Sequence, residues 1–341
     1  MTWTLALNNA LTAPPVFDDG RGYFSIGGDR LVAYDLASGA QMWIVSAQLD
    51  SRPAAGGGLL FLAEPDAISA IHASDGTLAW RLPFTEGIAV PLVWDNGWLV
   101  VASKSGSVLA FRASDAHLVW HREIGTQIHA APALAADRVY VPTDDGRLLA
   151  FRIDTGAPVW ERRLGGPASD ILALDDRLYV GSTDNYFYSI DAAKGEVTWR
   201  WLTGGDVIGH PALDAKRLYF VSLDNLLRAL DRKSGAQIWK RALPMRPTAG
   251  PLLAGANLLV PGLETSLRVF AAKDGAPGTD IAAGGVISAP PEIVGGPRLL
   301  QPMLVYVTSD LAAGATVTAM SHSIDPPVLP AVAPLPNPIK P

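Results

Sequence analysis

A tryptophan recurs along this chain at an almost constant interval, and that interval leaves few folds open. Trp43, Trp80, Trp120, Trp160, Trp199 and Trp239 are separated by 37, 40, 40, 39 and 40 residues. Each follows a turn-forming segment: Asp35-Leu-Ala-Ser-Gly39, Ser74-Asp-Gly76, Ser114-Asp-Ala116, Asp154-Thr-Gly156, Asp191-Ala-Ala-Lys-Gly195 and Asp231-Arg-Lys-Ser-Gly235. A seventh copy, Lys273-Asp-Gly275, leads to Thr279 in place of tryptophan. Self-similarity at a fixed period of this length marks stacked supersecondary units.

The unit itself reads as strands only. In one copy, residues 131–134, 138–141, 147–153 and 157–162 are short apolar runs, with turn signals at Asp144-Asp145-Gly146 and Asp154-Thr155-Gly156. Four short antiparallel strands per forty residues make one blade of a β-propeller. Trp3 lies 40 residues before Trp43, in phase with the rest. A proline follows the tryptophan position by twelve residues at Pro15, Pro132, Pro211, Pro251 and Pro291. Trp3 is therefore an outer strand without the three strands that should precede it, and residues 288–321 can supply them. The expectation is an all-β, eight-bladed propeller of four-stranded antiparallel blades, with the N-terminal strand completing the last blade. Seven blades with an overhanging strand is the alternative, and the worn unit at 297–321 is where the two differ. Residues 1–322 are expected to form one propeller domain, and the proline-rich residues 323–341 a tail outside the ring.

Composition excludes several classes. Hydrophobic residues make up 49% of the chain, yet no run is long enough for a membrane helix, so short buried strands account for them. The net charge is −6 and no basic stripe is visible, which argues against nucleic-acid binding. The chain has no cysteine, which rules out disulfides and thiolate metal sites. Its first residues, Met1-Thr2-Trp3-Thr4-Leu5, lack the basic and apolar segments of a signal peptide.

The Asp-x-x-(Ser/Thr)-Gly-x-x-x-Trp pattern over residues 3 to about 290 resembles the repeat of the quinoprotein-type propeller superfamily, and the size is most similar to its BamB-like outer-membrane assembly lipoproteins. The resemblance implies that Trp3, Trp43, Trp80, Trp120, Trp160, Trp199 and Trp239 are structural, each packing between neighbouring blades. It also implies a periplasmic protein of the bacterial cell envelope, a non-catalytic scaffold presenting loops to protein partners. A membrane link would come only through a leader and lipid anchor removed from this sequence; a cytoplasmic location is the alternative. A monomeric ring is expected. In BamB-like proteins the partner loops lead into the proline-bearing strand. Leu243-Pro-Met245-Arg246, five residues before Pro251, resembles one of them, and Asp206-Val207, five before Pro211, resembles the other, in reversed chain order. Leu243, Met245, Arg246 and Asp206 are thus the candidate partner-binding residues. The competing reading is a relative of the pyrroloquinoline-quinone dehydrogenases using the central channel. Those enzymes carry an adjacent-cysteine disulfide that this chain lacks, and their calcium ligands match no positions here, so no cofactor is expected.

No nucleophile-elbow, zinc-protease or phosphate-loop motif occurs, and no catalytic residue is assigned. Gly56-Gly57-Gly58 reads as a hairpin turn between strands. His117 and His121 share one strand face but lie about 13 Å apart, too far for one metal ion. His129 and His210, before Pro132 and Pro211, either face the channel or are loop histidines. Asp144-Asp145 and Asp184-Asn185 occupy equivalent turns and suit either ordinary turn geometry or calcium. Trp94 and Trp98 bracket Asp95-Asn96-Gly97 and form either an exposed contact patch or a pair across the hairpin.

Overall fold

The described residues form eight antiparallel four-stranded sheets, in a computed structural model that describes residues 2–310, 314–321 and 332–338. Seven follow the chain order: blade 1 spans residues 16–46, blade 2 54–83, blade 3 93–123, blade 4 133–163, blade 5 168–202, blade 6 207–242 and blade 7 252–282. In blade 8 the strands Val286–Val294, Met303–Asp310 and Gly314–Ser321 are completed by Thr2–Ala6. Trp3 there pairs with Ala319 and Leu5 with Val317. The protein is an eight-bladed β-propeller, and the phase of Trp3 decides the count against seven. The reason is physical: the third strand of a blade needs an outer partner, and Thr2–Ala6 fills the second edge of Gly314–Ser321.

The strands expected at 131–134, 138–141, 147–153 and 157–162 are Ala133–Ala135, Arg138–Pro142, Arg147–Arg152 and Pro158–Arg163. The second and third strands of each blade are buried on both faces, as in Trp98–Ala102 and Ser107–Arg112. This accounts for the large hydrophobic share, and among the described residues no helix is long and apolar enough to cross a membrane. His322 and the tail residues 323–331 and 339–341 lie outside the described residues.

The chain divides into two compact units, residues 1–42 with 201–330 and residues 43–200 with 331–341. Within the second unit the blade contacts follow one scheme. The indole Nε1 of Trp43, Trp80, Trp120 and Trp160 donates to the carbonyls of Ala73, Ala113, Ile153 and Ala192 at 3.1, 3.0, 2.6 and 2.9 Å. Each acceptor sits at the start of the turn in the following blade. The ring then covers that turn's glycine: a Cβ on Gly156 would stand 2.7 Å from Trp120 Cδ2, and one on Gly195 2.6 Å from Trp160. Gly156 also has φ +64°, so both the close approach and the backbone demand glycine. The third copy has Ala116 instead, held at φ +57°. The first unit repeats the scheme. Trp3 Nε1 donates to Leu36 O at 2.9 Å and Trp239 Nε1 to Ala272 O at 3.2 Å, with Gly39 and Gly275 under their rings.

Two kinds of partner of these tryptophans lie outside the sequence pattern. Across the blade it faces alanine: Ala70, Ala110, Ala150, Ala229 and Ala319 oppose Trp80, Trp120, Trp160, Trp239 and Trp3. A small residue there leaves room for the indole. After Trp120, Trp160 and Trp239 the arginine two residues on reaches the same turn, as Arg122 Nε to Gly156 O at 2.7 Å and Arg241 Nε to Gly275 O at 2.9 Å, whereas Leu5, Val45, Leu82 and Trp201 hold that place in the other copies. Where Thr279 replaces tryptophan, the outer strand shrinks to Ile281–Ala282, the shortest among the described residues.

The turn glycines Gly56-Gly57-Gly58 do form a hairpin, between Ala54–Gly56 and Leu59–Ala63, and they have a second task. Trp94 of the next blade lies flat on them, so a Cβ on Gly56 would stand 2.1 Å from the ring. Trp98 is 1% exposed. The reading of Trp94 and Trp98 as an exposed patch is therefore corrected: Trp94 is half-buried against the preceding blade, and Trp98 is buried in the apolar layer between blades 3 and 4.

Replacing Trp120 by alanine should lower the unfolding free energy by about 3–5 kcal/mol, since an indole and its hydrogen bond leave a buried layer. Ala116→Gly should raise it by about 1 kcal/mol by relieving the left-handed backbone. Both are read by urea denaturation, and equal midpoints for Ala116→Gly and the parent chain would contradict the second.

Candidate protein-interaction site

One backbone hydrogen bond defines the site and repeats around the chain. The turn between the second and third strands of a blade donates an N–H to the loop that comes before that blade. In the second unit these bonds run from Lys104 to Gly87 O, Asp144 to Gln127 O and Thr183 to Pro167 O. In the first unit they run from Leu223 to Asp206 O at 2.9 Å and from Leu263 to Arg246 O at 3.2 Å. Asp206 and Arg246 therefore occupy the same position of consecutive blades, 6 and 7.

A single turn, Leu223-Asp224-Asn225, holds both loops. Besides the Leu223 bond, Asp224 Oδ2 accepts from Gly204 N at 3.2 Å, and Leu243 N donates to Asn225 O at 2.8 Å. Asn225 accepts the left-handed conformation this turn needs, at φ +57°. Gly204 is required because a Cβ there would stand 2.6 Å from the Asp224 carboxylate. Asp224 is itself pinned by Arg228, four residues along, through Nη1 to Oδ1 at 3.0 Å and a second bond from Nη2 to Oδ2. Arg228 also donates to Ser222 Oγ at 2.7 Å, and its guanidinium lies 5.9 Å from the Phe220 ring centroid. Burial alone would raise the Asp224 carboxyl. The hydrogen bonds from Arg228 and Ser222, with the guanidinium charge, outweigh it and hold the group down at about 2.

The four predicted residues separate into two roles. Leu243 and Met245 are buried in the apolar layer with Tyr219, Trp239 and Leu258, and Met245 lies over Gly262. Asp206 and Arg246 are exposed. The leucine and methionine anchor the loop, and the charged residues stand on it. The structure adds two residues to the site: Leu223 and Leu263 are 39% and 64% exposed at the turns bonded to Asp206 and Arg246. A signal was present in the sequence, since these leucines stand where other blades place Lys104, Asp144 and Thr183.

The other candidate groups are engaged by the protein itself. Asp144 pairs with His129 Nδ1, and Asp145 accepts from Thr143 Oγ1 and Arg147 Nε at 2.6 and 2.7 Å. Asp184 accepts from Gly165 N and Tyr186 N, both at 3.0 Å, and from the Tyr188 hydroxyl. These contacts are those of turns and loop clasps. His210 is exposed on the strand Val207–Leu213, and His117 and His121 are exposed on one outer strand. Among the described residues, no three His, Asp or Glu side chains gather to hold a metal ion.

Residues 1–90, 66–173 and 164–284 match the family described as outer membrane protein assembly factor BamB. The chain belongs to that family. Among solved structures, BamB from Moraxella catarrhalis is similar over 94% of this chain and 97% of its own, at 17% identity and a TM-score of 0.73. Quinohemoprotein alcohol dehydrogenase from Comamonas testosteroni is similar over 93% of this chain and 76% of its own, at 12% identity and a TM-score of 0.74. Sqt1 from Saccharomyces cerevisiae is similar over 94% and 98%, at 11% identity and a TM-score of 0.74. At these identities the likeness is one of fold. No curated protein sequence matches the chain.

Asp224 titrates at about 2 when folded and near 3.9 when unfolded, so its folded pKa is the lower. Its contribution is complete above about pH 4 and is lost as pH falls towards 2. Because the pair is partly open to solvent, the loss should be at most about 2 kcal/mol. Arg228→Met should lower the urea midpoint at pH 6 and flatten its decline between pH 4 and 2.5. A variant as acid-sensitive as the parent would count against the pair.

Proposed function

We propose that this chain is a non-catalytic interaction scaffold of the bacterial cell envelope, acting in the periplasm at the outer membrane. The observation that carries the reading is the turn at 223–225, which clamps two consecutive loops and presents Asp206, Leu223, Arg246 and Leu263 together. Exposed leucines flanked by opposite charges are the composition of a contact centre with a polar rim. Holding the loops by backbone bonds, and by Leu243 and Met245 in the core, means that little chain entropy remains to be lost on binding. Membership of the BamB family supports an envelope partner that is a protein, and the acidic charge disfavours nucleic acid.

The Asp224 carboxylate favours scaffolding over chemistry. Asp224 is committed to Arg228 and Gly204, and a general base needs a free lone pair facing substrate. A partner is expected to meet Arg246 with carboxylate groups and Asp206 with a lysine or arginine, around an apolar centre on Leu223 and Leu263.

Envelope proteins cross-linked to this chain in cells should lose at least about tenfold in yield with the Asp206→Lys, Arg246→Glu double variant. Leu263→Ser alone should reduce the yield in the same way. Partner recovery unchanged in both variants, with their unfolding midpoints unaltered, would falsify the assignment of this face.

A further inference from the structure

The proline-rich segment 332–338, expected to lie outside the ring, is seated on the second unit, and it occupies a built groove. Leu335 is 2% exposed and joins the apolar layer between blades 3 and 4, beside Trp98 and Val139. Three polar contacts read the backbone around it. Trp98 Nε1 donates to Pro336 O at 2.5 Å, and Asn96 Nδ2 donates to Leu335 O. Both carboxylate oxygens of Asp175 accept from Ala333 N, at 3.0 and 2.8 Å. Pro338 closes over Gly97, which has no Cβ to obstruct it and adopts φ +85°.

The groove departs from the repeat at the residue that matters. The second strand begins with Arg21, Arg138, Arg177 and Arg217 in blades 1, 4, 5 and 6. Blade 3 places Trp98 there. A tryptophan whose indole donates to a proline carbonyl, beside an apolar slot, is the chemistry that recognises polyproline-type peptides. Prolines at 334, 336 and 338 pre-set an extended backbone and leave its carbonyls free, which are the groups that Asn96 and Trp98 take. The segment forms no strand pairing, so it can leave without breaking a sheet. Its departure would leave the Trp98 indole without its acceptor and the Leu335 slot open, a state that favours refilling by a like peptide.

We propose that this groove, formed by Asn96, Gly97, Trp98 and Asp175, is a peptide-binding site for extended Pro-Leu-Pro segments, held closed in cis by the chain's own residues 332–338. A partner carrying such a segment enters by exchange with the tail. The site is separate from the Asp206 and Arg246 loops and does not rest on the scaffold reading.

The test uses the full chain and a fluorescein-labelled peptide of sequence Val-Ala-Pro-Leu-Pro-Asn-Pro. Leu335→Asp vacates the groove, and that variant should bind the peptide saturably. The parent chain should bind it at least about tenfold more weakly, because the tethered tail competes at an effective concentration on the order of millimolar. The same peptide with aspartate in place of leucine should not compete. Asp175→Ala, an exposed position, should weaken binding to the Leu335→Asp chain at an unchanged unfolding midpoint. No saturable binding to Leu335→Asp at about 1 mM peptide would overturn the proposal. So would equal binding to the parent chain, or binding indifferent to Asp175→Ala. A tail-dependent dimer of the parent chain on gel filtration would assign the groove to a second copy and overturn the cis arrangement.

Discussion

The indole between blades is the contact on which the rest depends. A single blade of four short strands cannot bury both of its faces. Within each unit the tryptophan solves this by acting on two blades at once. Its ring covers a turn glycine of the next blade, its N–H satisfies the carbonyl at the start of that turn, and it lies opposite an alanine of its own blade. Hydrophobic cover and hydrogen bond are supplied by one side chain, so the distance and the rotation between blades are set together. After Trp120, Trp160 and Trp239 the arginine two residues later bonds the same turn and reinforces the setting.

With the blades set at this end, the other end is free to vary. The turns between second and third strands need only one backbone N–H to hold the incoming loop, and the bond is blind to side-chain identity. Lys104, Asp144, Thr183, Leu223 and Leu263 can all fill the position. Recognition chemistry can therefore change from blade to blade without cost to the ring. In blades 6 and 7 the outcome is a pair of leucines beside Asp206 and Arg246, and in blade 6 the Asp224–Arg228 pair fixes the loops more firmly than backbone bonds alone.

Much of this was legible in the chain. The period and the proline phase led to eight blades, and Trp3 led to closure at the shared blade. Of the proposed site, the loop position of Asp206 and Arg246 is legible in the sequence, whereas Leu223 and Leu263 are not, because a turn residue is expected to be polar. Leu243 and Met245 were grouped with the contact residues, but their alternation with Pro244 and Arg246 turns them inward. Trp98 was read as exposed or paired across its hairpin; what covers its N–H is a segment some 238 residues away.

Periodic features follow from local chemistry, and so the sequence by itself determined the blade count, the closing strand and the structural tryptophans. Each rests on a turn or an interval within about forty residues. What only the tertiary structure decided is which surfaces those residues make together. The clamp on two loops by one turn, and the seat of Leu335 beside Trp98, join segments whose separation carries no pattern. A hydrogen bond or a buried side chain leaves a mark in sequence when the repeat imposes it, and none when it is made once.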